Sequence, residues 1–181
     1  MTDALTLVAL SGLPGSGNTT VAFELARSAR AVVVSVDPIE DALHRAGLEP
    51  THETGVAAYL VAEVIARDAV TLGHSVIIDA ANYVEVARQM WRDLASECGT
   101  GLSWVEVSCS DKAVHQQRLA SRDRGFTSTL EPTWEDVLAR NAATEPWPTD
   151  DENRIIRIDT AVSVQPQLES LLTQLPENWT S

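Results

Sequence analysis

The chain has 181 residues, 44% of them hydrophobic, and a formal net charge of −13 from 26 acids against 13 bases. That length suits one domain with a full core, and its apolar runs are too short to cross a bilayer. The acidic field repels nucleic-acid backbone and anionic lipid, which argues against general nucleic-acid binding and against a membrane role.

The elements begin with an apolar run of strand length over residues 5–10, Leu-Thr-Leu-Val-Ala-Leu. It runs into Gly12-Leu13-Pro14-Gly15-Ser16-Gly17-Asn18-Thr19-Thr20. This stretch fits the phosphate-binding loop G-x-x-x-x-G-K-S/T at every defined place but one, where Asn18 replaces lysine. Glycines let the backbone turn its N–H groups inward, and the start of a helix over 19–30 adds its dipole, so the stretch predicts a cradle for a nucleoside triphosphate. Thr19 stands where a hydroxyl meets a magnesium ion. A β-branched run over 31–36 leads to Asp37-Pro38, and Pro38 suits the first turn of a helix to about residue 45. Residues 53–72 read as a long helix with Val56, Leu60, Val64 and Ile65 along its apolar side, ended by Gly73. A strand follows over 75–79, then a helix from 83 or 84 to 98 closed by Gly99, then a strand over 102–109. Asp111 caps a helix to about 123, residues 125–131 form a loop, and Thr133 caps a helix to about 144. Glu145-Pro146-Trp147-Pro148 breaks that helix, and a strand over 154–158 and a helix over 164–174 complete the chain.

Strand and helix alternating at this rhythm predict an α/β fold, a parallel sheet with helices on both faces. Ligands in such sheets bind beyond the carboxyl ends of the strands. Asp37, Asp79, Asn82 and the phosphate loop all follow strand ends, so they are expected in one crevice. Asp37 is a candidate base toward a substrate hydroxyl, or else an N-cap for the helix at Pro38. Asp79 is a candidate magnesium ligand through water, or else a cap for the turn at Ala80-Ala81-Asn82. Asn82 is a candidate substrate contact, or else a turn residue. Arg118, Arg122 and Arg124 form the basic cluster of an acidic chain; Arg118 and Arg122 are spaced i, i+4, and Arg124 enters the loop as part of a lid.

Asn18 is neutral and short, so it cannot follow charge to the transferred phosphoryl group. Three readings stand: an introduced or accidental change in an active enzyme, a natural variant that borrows a positive charge from an arginine of the cluster, or a nucleotide-binding protein without turnover. His44, His52, His74 and His115 are scattered and show no zinc spacing. His44 and His52 read as surface histidines. Cys98 and Cys109 read as buried thiols outside any disulfide framework, and Trp134 and Trp147 as packing anchors. The opening Met1-Thr2-Asp3 lacks the basic start and apolar block of a signal peptide. The expected setting is a reducing cytoplasm.

With the loop 12–20, Ser35-Val36-Asp37, Ile77-Ile78-Asp79-Ala80-Ala81-Asn82, Val107-Ser108-Cys109 and Arg118-Leu119-Ala120-Ser121-Arg122, the chain resembles the small P-loop kinases. That group includes chloramphenicol phosphotransferase, zeta-toxin-like kinases, the kinase domain of polynucleotide kinase and gluconate kinase, often filed as AAA-type ATP-binding proteins. The resemblance implies a three-layer P-loop NTPase sandwich with strand order 2-3-1-4-5 across the whole chain. It implies a lid over about 118–133 and an acceptor wall over about 38–66. ATP and Mg2+ would lie on residues 12–20, Asp37 would act as base, and Arg118 and Arg122 would reach the phosphates. The adenine would lie near Arg118 and Asp159-Thr160-Ala161. The acceptor class stays open between a small-molecule alcohol and a nucleoside, nucleotide or polynucleotide, as do ATP against GTP and monomer against homodimer.

Overall fold

The computed structural model describes residues 6–129, 131–148 and 155–175. Five strands, β1 (Thr6–Ser11), β2 (Val32–Ser35), β3 (Val76–Asp79), β4 (Gly101–Ser108) and β5 (Ile155–Asp159), form one sheet. Its order is β2-β3-β1-β4-β5, with every pairing parallel. Seven helices are present among the described residues: α1 (Asn18–Ala29), α2 (Val36–Arg45), α3 (His52–Thr71), α4 (Glu85–Cys98), α5 (Lys112–Ala120), α6 (Trp134–Ala142) and α7 (Val164–Gln174). The parallel sheet with helices on both faces is the one the sequence pattern predicts, and the strand order is the one the resemblance implies. Leu5 and Arg154, placed in strands by the sequence, lie outside the described residues.

Both faces of the sheet are covered, and the alternation along β1 shows how. Leu7 and Ala9 point into a core with Val34, Ile78, Trp91, Leu94 and Trp104. Val8 and Leu10 point into a second core with Val21, Leu25, Ile77, Val105, Ile158 and Leu171. A strand apolar at successive positions is what burial on two faces requires. Among the described residues no helix is long and apolar enough to cross a membrane.

Helix α3 turns mainly small side chains to the core. Its inward face is Thr54, Ala58, Ala62, Ala66, Ala69 and Val70. Val56, Leu60, Val64 and Ile65 face solvent, with Leu60 54% and Val64 55% exposed. The interior packs at close to crystal density, so small side chains take the tight side and the larger aliphatics are displaced outward. The cysteines are half-buried and free rather than enclosed. Trp147 is the packing anchor expected: it meets Trp104 edge-on at 5.1 Å, and Arg88 stacks 4.4 Å over its ring.

A loop, two carboxylates and four arginines around one cavity

The loop between β1 and α1 is built by close approach. A Cβ on Gly12 would come within 2.5 Å of the Val107 carbonyl oxygen and 2.6 Å of Ser16 Oγ. Gly17, at φ 105°, stands at the N-cap of α1 in the left-handed region that glycine occupies without strain. Below the loop, Thr160 Oγ1 donates to the Ser16 carbonyl at 2.6 Å and accepts from Arg118 Nη1 at 2.8 Å. His115, from α5, donates through Nε2 to the Pro14 carbonyl at 2.8 Å, and the Trp134 ring meets it edge-on at 5.1 Å. The loop is thus gripped on both sides by side chains from β4–α5 and β5–α7.

A cavity of about 570 Å³ opens over this loop. Gly12, Leu13, Pro14, Gly15, Gly17, Asn18, Thr19 and Thr20 line its floor. Asp37, Asp79, Arg118, Arg122, Arg124 and Arg140 line its walls. The parallel register sets Asp79 beside Ser35, whose hydroxyl donates to it at 3.0 Å. Burial pushes the Asp79 carboxyl above its ordinary range, opposed by hydrogen bonds from Thr19 and Ser35, with the neighbouring Asp37 charge acting in the same upward sense as burial. Thr19 and Asp79, the expected hydroxyl and acid, therefore meet in space.

The Asn18 side chain lies against the loop itself: Nδ2 donates to the Ala80 carbonyl at 2.9 Å, while Oδ1 is buried without a partner beside Gly12. Asp37 is not a cap. Helix α2 begins at Val36, two residues before Pro38, with Ser35 at the N-cap. The Asp37 carboxylate instead accepts from Arg124 and lies 3.7 Å from Arg122. Arg124 also donates to Glu131 at 2.8 Å and stacks 4.2 Å over Phe126. Burial and the adjacent Arg124 charge push the Arg122 guanidinium below its ordinary value.

Several sequence expectations are corrected by these contacts. Helix α5 ends at Ala120, so Arg118 and Arg122 do not share a helix face. Ser121 Oγ donates back to the Gln117 carbonyl at 2.9 Å, and Asp123 accepts from the Gly125 N–H at 2.9 Å, which turns the chain out of the helix. Arg118 lines the cavity, yet its guanidinium is held by Thr160 through Oγ1 and the carbonyl at 2.9 Å. Thr160 and Asn82 do not line the cavity. Thr160 is a buried strut beneath the loop, and Ser16 faces a second cavity of about 370 Å³ behind it. Asn82, at φ 48°, is the turn residue: Nδ2 donates to Leu10 at 2.6 Å and Oδ1 accepts from Trp91 Nε1 at 2.9 Å. His44 is not free at the surface, since Nδ1 meets Thr129 Oγ1 at 3.0 Å.

His115, Arg140, Phe23 and Phe126 belong to the site and were not singled out by sequence. For His115 a signal existed: it lies one helical step, i, i+3, from Arg118. The others are brought in by tertiary packing and leave no local pattern.

The fold has solved counterparts. A sugar kinase from Janibacter sp. HTCC2649 is 18% identical with a TM-score of 0.71, covering 98% of each chain. The APS kinase of Mycobacterium tuberculosis in complex with AMPPNP and APS is 18% identical with a TM-score of 0.69, over 94% of this chain and 97% of that one. A gluconokinase from Sinorhizobium meliloti 1021 is 18% identical with a TM-score of 0.67, over 98% and 97%. At that identity the likeness is one of fold. No curated protein matches the sequence. The family model for the AAA domain matches residues 7–144, about three quarters of the chain, and together with the loop and the sheet order this shows that the protein belongs to that P-loop family.

Proposed function

We propose that the chain is a phosphotransferase that moves a phosphoryl group from ATP to a hydroxyl of a small molecule. The observation that carries this reading is convergence. One cavity holds the phosphate loop, a hydroxyl–carboxylate pair at Thr19 and Asp79, a second carboxylate at Asp37, and the arginines Arg118, Arg122 and Arg124. The whole chain acts as one kinase domain, with residues 118–133 as lid and 38–66 as acceptor wall. The three solved counterparts described above are kinases, which is consistent with it.

The residues present fit Mg2+–ATP. The backbone of 12–19 would hold phosphate oxygens, and Thr19 with Asp79 would hold the metal, directly and through water. Magnesium, when bound, neutralises phosphate charge. Asp37 accepts the proton of the acceptor hydroxyl. For that it must leave Arg124, whose guanidinium has a phosphate oxygen as its alternative partner. Arg122, mostly enclosed near Asp37, Glu131 and Asp79, brings to the cavity the positive charge that Asn18 lacks.

Calorimetric titration with Mg2+–ATP, beside a turnover assay over sugars, polyols, nucleosides and an oligonucleotide 5′ end, tests the reading. The native chain binds nucleotide and labels one acceptor class, and Asn18→Lys raises kcat about 100-fold. Failure of both forms to bind ATP or GTP overturns it. A second reading, a nucleotide binder without turnover, is favoured by the Asn18 amide tied to Ala80; binding with no product from either form selects it.

A further inference from the structure

Residues 121–129 bring Arg122 and Arg124 to the cavity, and one face of α2 holds them there. Asp37, Asp41 and His44 follow i, i+4, i+7 spacing and share that face. Asp37 accepts from Arg124. Asp41 Oδ1 accepts the backbone N–H groups of Ser128 at 3.1 Å and Thr129 at 3.0 Å. His44 Nδ1 meets Thr129 Oγ1 at 3.0 Å. Among the described residues, apart from the Arg122 N–H on the Leu119 carbonyl of α5, from which the segment emerges, the hydrogen bonds and ion pairs that join 122–131 to another element end on α2.

The three links differ in kind. Asp37 faces the cavity, and its partner is an arginine side chain that nucleotide can claim. Asp41 is buried, 5% exposed, and backed by Arg45 Nε at 3.3 Å. Its partners are backbone groups, so this link persists whatever the side chains of Arg122 and Arg124 bind. Two N–H groups on one carboxylate also make the stronger, charge-assisted bond.

We propose that Asp41 is a positioning residue that docks the arginine segment on α2, and so couples nucleotide binding to the wall that carries Asp37. The proposal rests on the phosphotransferase reading. Its consequence is a population effect: nucleotide affinity is reduced by the fraction of molecules whose segment is undocked. Once docked, the arginines and Asp37 are unchanged, so the loss appears in KM and not in kcat. Linkage then requires that an acceptor held against α2 and a nucleotide held by the arginines strengthen each other's binding.

The test is limited trypsin cleavage after Arg122 and Arg124, read beside KM and kcat for ATP, with thermal melting to establish that each variant is folded. Asp41→Ala is expected to speed both cleavages about tenfold and to raise KM about tenfold, with kcat within about twofold. Asp41→Asn keeps an oxygen for both N–H groups and returns both readouts to within about threefold of the native chain. Ser128→Pro removes one donor from the segment side and leaves α2 intact, which covers the case of an Asp41→Ala chain that does not fold. Unchanged cleavage in the folded variants, or an Asp41→Asn chain as impaired as Asp41→Ala, overturns the assignment. Cleavage needs no nucleotide. A chain that binds no ATP yet loses its docked segment on Asp41→Ala therefore rejects the phosphotransferase reading and upholds the docking.

Discussion

The phosphate loop and the arginine segment face each other across one cavity and are held by opposite means. The loop is fixed by backbone: Gly12 lies where no Cβ fits, Gly17 takes a left-handed turn, and the carbonyls of Pro14 and Ser16 are tied to His115 and Thr160. The segment is fixed by side-chain charge, through Arg124 on Asp37 and Glu131, and by two backbone bonds to Asp41. Arg122 is 19% and Arg124 15% exposed in their side chains, while their partner Asp37 is 49% exposed, so the carboxylate end of these pairs is open to the cavity. One side is a template and the other a set of exchangeable contacts. That division is what a site needs if it must recognise an anion before closing on it.

The comparison breaks first on the loop side. Gly12→Ala forces a Cβ against the Val107 carbonyl, a backbone atom that cannot swing aside. We expect ATP affinity to fall by about 1000-fold in calorimetric titration, from a loop that no longer closes, with a loss of about 2 kcal/mol in chemical denaturation. Retained affinity would show the floor to be plastic. Next is the carboxylate that both sides share. Asp37→Asn removes the proton acceptor and the partner of Arg124 together. We expect kcat to fall about 1000-fold while ATP still binds, measured by product formation against titration. On the segment side, Arg124→Met keeps much of the packing on Phe126 but not the charge. Its cost is expected at about 30-fold in kcat/KM, less than Asp37→Asn because Arg122 lies beside the same carboxylate.

The same division decides what could be read in the sequence. The strands, the loop and the meeting of Thr19 with Asp79 were legible, because β-branched runs, glycine spacing and strand ends are local signals tied to backbone geometry, whereas the strand order came only from the resemblance to small P-loop kinases. What was not legible depends on a partner far along the chain. Asn82 and Thr160 looked like ligand contacts and are struts, since Leu10, Trp91 and Ser16 take their polar groups. Arg122 looked helical, but the turn at Ser121 and Asp123 frees it to reach α2. On α3 the apolar periodicity was legible but not which side faces in, because side-chain volume, not hydropathy alone, chose Ala58, Ala62 and Ala66 for the inside.

The smallest effect sharpens the comparison most, because it separates stability from function on one atom. Asp79 is buried, and its carboxyl is pushed above the ordinary range chiefly by that burial. The folded chain therefore holds the Asp79 proton more tightly than the unfolded one. Below the ordinary Asp pKa the group costs nothing; as pH rises through that range to the folded value, a penalty develops and then stays constant. Asp79→Asn has no charge to bury. Without nucleotide its melting temperature should exceed that of the native chain by about 3 °C at neutral pH, equivalent to about 1 kcal/mol. The difference should close as pH falls toward about 4. With Mg2+–ATP in excess the order should reverse, since only the carboxylate form gains binding energy from the metal and passes it to the fold. A lower melting temperature for Asp79→Asn at neutral pH would mean that the bonds from Ser35 and Thr19 outweigh burial, and that this acid is held in place as firmly as the glycine floor beneath it.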